Sequence, residues 1–101
     1  MLSFPQKLPG ERVSAQIDFA ARLPTGVTVT DGSNSVSIEA VNSTDTSLVL
    51  DGPVQRLGAI VGVAIKGGAE NVEYIVTFTA KLSDDQIIQE QATLRVVPYF
   101  F

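Results

Sequence analysis

The residues able to do chemistry are few, and those that are missing matter more. The chain holds no histidine and no cysteine. That removes imidazole general bases, thiolate nucleophiles, disulfides and the usual zinc ligands together. Carboxylates remain, but paired acid-base work needs two acids whose pKa values are pushed apart in a cleft. Here the acids fall in turns or on polar strand faces, which reads as a solvated surface. Asp84-Asp85, and Asp45 with Asp51, could offer hard oxygen ligands to calcium, yet neither region has the Asp-x-Asp-x-Asp-Gly spacing of a loop built for that ion. Gly67-Gly68 is followed by neither a Lys-Ser/Thr pair nor a helix, so it reads as a turn between strands and not as a phosphate loop. No catalytic residue, metal site or cofactor is expected.

Aromatic residues carry the remaining signal. Tyr74 stands near the start of a long apolar-polar alternation, the place of the tyrosine corner in immunoglobulin-like domains, where the ring enters the core and the hydroxyl bonds to backbone a few residues upstream. Phe19 and Phe78 read as core. At the two ends lie Leu2, Phe4 and Pro5, and then Pro98 followed by Tyr99, Phe100 and Phe101, which concentrate three of the chain's two Tyr and five Phe. A free aromatic cluster exposes apolar area that soluble monomers avoid. Two readings stay open: self-packing across one end of the domain, or arms in which Phe4, Tyr99, Phe100 and Phe101 anchor a neighbouring subunit, a use to which aromatics are suited.

The elements that must position these residues follow from a period of two. Val13, Ala15, Ile17 and Phe19 predict a first strand, Val27 and Val29 a second, and Val36, Ile38 and Ala40 a third after the Asp31-Gly32-Ser33-Asn34 turn. Leu48 and Leu50 predict a short fourth. Beyond Asp51-Gly52-Pro53, Leu57 to Ile65 predicts a fifth, with Ala59, Val61, Val63 and Ile65 on one face and Gly58, Ile60, Gly62 and Ala64 on a second face of mostly small side chains. That second face reads either as buried under a neighbouring loop or strand, or as a place of close backbone approach by a partner. Val72 to Leu82 and Ile87 to Val97 predict a closing hairpin around Ser83-Asp84-Asp85-Gln86. Seven short antiparallel strands without a helix make this an all-β chain, an immunoglobulin-like β-sandwich, with a small barrel as the alternative.

Composition fits one such domain over residues 1–101, with a short N-terminal arm (1–10) and a C-terminal arm (98–101). The 101 residues are 45% apolar and 18% charged, enough for a core and too little charge for disorder. The net charge of −4 and seven scattered basic residues give no basic stripe, so nucleic acid is not an expected partner. No apolar run approaches the roughly 20 residues of a membrane-spanning helix. The first residues lack a signal-peptide pattern, so synthesis in the cytoplasm is expected.

Two stretches resemble the phage fiber-tail adaptors, a family of small virion proteins. The first is Lys7-Leu8-Pro9-Gly10-Glu11 followed by Ile17-Asp18-Phe19-Ala20-Ala21-Arg22-Leu23, similar to the family's Lys-x-Pro, acid, then Asp-aromatic-x-x-x-Leu opening. The second is Gly67-Gly68-Ala69, Tyr74-Ile75-Val76-Thr77, Thr79, the Ser83-Asp84-Asp85 turn and Thr93-Leu94-Arg95-Val96. Phe19 stands where the family usually has Trp, and Asp84-Asp85 where a Gly-Arg turn is common. The resemblance implies a non-enzymatic virion component, an immunoglobulin-like sandwich linking tail or neck to fibres and forming a homo-oligomer within the particle. A second reading from another class is a carbohydrate- or surface-binding module. It would need exposed aromatic platforms, whereas Trp is absent and the mid-chain aromatics are assigned to the core.

Overall fold

The computed structural model describes residues 2–98, with the side chain of Leu2 left out. Among these residues eight strands form: β1 (Leu2–Ser3), β2 (Arg12–Asp18), β3 (Ser35–Ala40), β4 (Val49–Leu50), β5 (Gln55–Leu57), β6 (Ile60–Lys66), β7 (Glu73–Lys81) and β8 (Ile87–Arg95). They build two sheets, ordered β1-β8-β7-β3 and β2-β6-β4, with β5 also paired to β6. Every pairing among β2 to β8 is antiparallel, and β1 alone runs parallel to its neighbour β8. If β2, β3, β6, β7 and β8 are taken as strands B, C, E, F and G, this is the B-E-D against G-F-C arrangement of an immunoglobulin-like sandwich, with β4 and β5 sharing the D place. The first strand lies beside G instead of beside B.

Alternation decides which face each strand buries. Ala15 and Ile17 of β2 and Val61, Val63 and Ile65 of β6 face Tyr74, Val76, Phe78 and Ala80 of β7 and Ala92 and Leu94 of β8, all in one core with Phe19, Leu48 and Leu82. Each large side chain so buried contributes roughly 1.5–3 kcal/mol. On the solvent face of β7 and β8, Gln89 bonds to Thr79 at 3.1 Å and Gln91 to Thr77 at 3.2 Å, cross-strand pairs that fix register without burial.

The structure departs from the sequence reading in three places. Val27 and Val29 do not make a strand: Val29 is buried, but it meets Leu82 in a single bridge, and the stretch before it holds a three-residue 3₁₀ turn at Ala20–Arg22. The expected fifth strand from Leu57 is a hairpin, because Gly58, with φ +60°, turns the chain between β5 and β6. Lastly β1 and the residues after it lie along β8, with Phe4 N–H donating to the Thr93 carbonyl and Lys7 N–H to the Arg95 carbonyl. The edge of β8 is thereby covered.

Candidate functional site

Two regions outside the shared core have shapes and charges that a binding protein can use. One is the corner where the chain passes from β6 to β7. The other is a trough on the outer face of β2, β5 and β6.

The corner is organised by Gly67 and Gly68, which join β6 to β7 with φ of +82° and +102°, a region disfavoured for residues with a Cβ. Space adds to this: a Cβ on Gly67 would overlap the Ser47 carbonyl, and one on Gly68 would stand 2.6 Å from Val96 Cγ2. The tight turn brings the Ala69 N–H within 2.9 Å of the Tyr74 hydroxyl, which accepts from it. The same hydroxyl donates to Asp45 Oδ2 at 2.5 Å. Asp45 also accepts from the Ser47 hydroxyl at 2.6 Å and the Ser47 N–H at 3.0 Å. These bonds, those from Ser47 first, hold its carboxyl below the usual carboxylate range, while desolvation raises the Tyr74 hydroxyl above the usual phenol value.

Lys7 completes the corner, and sequence reading missed it. It is one of the seven scattered bases of the sequence, yet its exposure is 0%. Its ammonium donates to three carbonyls, of Gly67 at 2.6 Å, Leu8 at 2.8 Å and Pro9 at 3.4 Å. An ammonium has three donors and no acceptor, so three converging carbonyls satisfy it without a carboxylate contact. Burial lowers its pKa, and the charge of Glu11 partly opposes that. Val97 N–H in turn donates to the Lys7 carbonyl at 2.9 Å, so the last described residues leave the sandwich from this clamped point.

Phe4 lies on the domain itself. Its ring meets Phe78 edge-on at a centroid distance of 6.0 Å and is half-buried against the core. That contact packs the N-terminal segment against the core. Tyr99, Phe100 and Phe101 lie outside the described residues. Asp51, weighed above as a calcium ligand, is bridged by Arg12 Nε at 2.6 Å and Lys66 Nζ at 3.6 Å, and the Arg12 hydrogen bond first among these holds its pKa low.

The trough has a volume of about 580 Å³. Its floor is Ile60, Gly62 and Ala64, the small-residue face of β6, which is half-buried. Ser14 and Gln16 of β2 form one wall, and Gln55 and Leu57 with the Asp51–Pro53 turn form the other. Arg12 and Arg56 line it, and Lys66 continues the β6 face beyond Ala64. Arg56 Nε is buried without a hydrogen bond, the nearest carboxylate oxygen being Asp31 Oδ1 at 3.8 Å. Among the described residues no three acids converge in the manner of a metal site.

No curated protein and no solved structure matches the chain. A family model does: that of the podophage GP4 fiber-tail adaptor protein gp77, over residues 7–95. The match begins at the buried Lys7 and ends with β8, so it takes in β2 to β8, the trough, and the corner up to Arg95. With nearly the whole sandwich covered, the chain belongs to the podophage fiber-tail adaptor family, whose members are non-enzymatic structural components of the virion.

Proposed function

We propose that this adaptor works as a rigid two-sided coupler, present in several copies per particle, whose sandwich fixes the angle between tail and fibre. Tyr99, Phe100 and Phe101 are its anchor to a neighbouring virion protein. The observation that carries this reading is the clamped exit of the chain. Val97 is tied to Lys7, Lys7 to Gly67, and the next residue, Pro98, is exposed and has no N–H with which to continue a ladder. An aromatic segment launched from a fixed point loses less freedom on docking than one launched from a loose end, and aromatics are favoured interface anchors. Phe4, by contrast, serves the domain's own packing.

The test is assembly in the presence and absence of residues 99–101. A shortened chain that folds with an unchanged melting temperature but fails to join particles supports the anchor. One that joins particles normally removes it, and one that loses stability assigns the aromatics to the sandwich.

A further inference from the structure

The basic residues of this acidic chain are not spread evenly over its surface. With Lys7 buried, six cationic side chains remain, and three of them, Arg12, Arg56 and Lys66, stand on or beside the trough, where Asp51 opposes Arg12 and Lys66 and Asp31 approaches Arg56 at 3.8 Å, three cations against two carboxylates. The hairpin tip between β7 and β8 has the opposite character. Asp84 and Asp85 are both exposed there, Asp85 in a left-handed turn at φ +68°. One Asp84 oxygen caps Gln86 N–H at 3.2 Å, and Asp85 is held only loosely by Lys81 at 3.8 Å, so carboxylate oxygens remain turned to solvent.

Exposed apolar side chains mark the same two places. Among the described residues Val49, Leu57 and Ile87 are the large hydrophobics left exposed, with Leu57 at 80% and Ile87 at 66%. Leu57 is on the lip of the trough, and Ile87 is the first residue of β8, next to the hairpin tip. Each surface therefore pairs one apolar contact with an excess of one charge, three cations against Asp31 and Asp51 at the trough and two carboxylates against Lys81 at the tip, and the excesses are of opposite sign. The hairpin belongs to the sheet opposite the trough, so one copy cannot place its own tip in its own groove.

We propose that the trough is the docking site for a second copy of this chain, which inserts its Ser83–Gln86 hairpin tip so that Asp84 and Asp85 meet Arg56 and Lys66 and Ile87 packs beside Leu57. This deepens the multi-copy reading above and rests on it. The contact joins two different surfaces, so it propagates head to tail and either closes a ring or continues as a filament. Opposite charges at such a contact set register and weaken with added salt.

The test is light scattering of the full chain at rising concentration, in low and high salt, with two charge-reversed variants, Asp84→Lys/Asp85→Lys and Arg56→Glu/Lys66→Glu. Thermal melting of each variant checks that it folds. The wild type is expected to gain mass with concentration and to lose it in salt, and each variant alone to stay a monomer. An equimolar mixture of the two is expected to regain the wild-type mass, since the reversed tip of one then meets the reversed trough of the other. Wild-type protein that assembles while both variants assemble equally well overturns the socket and leaves a multi-copy adaptor standing. A wild type that stays monomeric throughout overturns the socket, and so does a mixture no heavier than its parts; neither touches the multi-copy reading, which the particle-assembly test above decides.

Discussion

Replacing Lys7 by Met separates the charge of the buried ammonium from the volume of its stem. The Met chain fills nearly the same space, so the cavity cost of a truncation does not arise. What disappears is the donor to Gly67, Leu8 and Pro9, of which the 2.6 and 2.8 Å contacts are strong and the 3.4 Å contact is marginal. Two charge-assisted hydrogen bonds are each worth about 1.5–3 kcal/mol, and an unsatisfied buried carbonyl costs about 1–3 kcal/mol. Against this stands the recovered cost of burying the ammonium, several kcal/mol. The carbonyls of Gly67, Leu8 and Pro9 belong to half-buried residues, so water relieves some of the penalty left on them. A net loss of about 2 kcal/mol in urea-induced unfolding is expected, with the m-value unchanged. The sign also has a pH signature. Because burial lowers the Lys7 pKa in the folded chain, the folded state sheds this proton before the unfolded state does. Stability from this group therefore rises with pH between the two values, and the gap between wild type and the Met variant widens there. A Met variant as stable as wild type at neutral pH, with a gap that does not grow, would refute the assignment of Lys7 as a structural clamp.

Further outcomes follow from the same corner and from the acids. Tyr74→Phe deletes both hydroxyl bonds and leaves the Ala69 N–H without its acceptor, so unfolding stability should fall by about 1–3 kcal/mol; an unchanged urea midpoint would show the hydroxyl to be dispensable. Gly68→Ala must strain both the φ of +102° and the contact with Val96 Cγ2, and a melting temperature at or above wild type would contradict that geometry. Asp45 and Asp51 are held below the usual carboxylate range, so the stability they supply is complete above the ordinary unfolded value near ~4 and is lost as pH falls through their lower folded values. Acid titration of the unfolding midpoint measures this, and Asp45→Asn should flatten the slope. A slope identical in that variant would remove Asp45 from the acid-sensitive set.

The parts of the fold that could be read from residue order were those whose alternation is long. β2, β3, β7 and β8 each run for six residues or more with apolar side chains on one face, and their pairing follows from the hairpin and the turns. β1 and β5, at two and three residues, carry no period to detect. The β5–β6 turn is hidden inside an apolar run, because Gly58 and Ala59 look like strand until φ is known. Val29 kept its expected burial but lost its strand, since one bridge to Leu82 is all the pairing its position allows. For the candidate sites the limit was distance along the chain. Nothing near Lys7 in sequence announces that the Gly67 carbonyl, sixty residues on, completes its cage, and nothing near Tyr74 points to Asp45. The small-residue face of β6 was visible in sequence, but that the Asp51–Pro53 turn joins it in lining one trough follows from the path of that turn, which no local pattern gives.

The central claim, that this sandwich is the coupler between tail and fibre, is tested most directly by electron cryomicroscopy of particles assembled with and without the chain. With it, density for two packed sheets should stand between tail and fibre, in several copies, and without it the fibres should be absent from otherwise intact tails. Particles that carry their fibres normally without the chain would contradict the account.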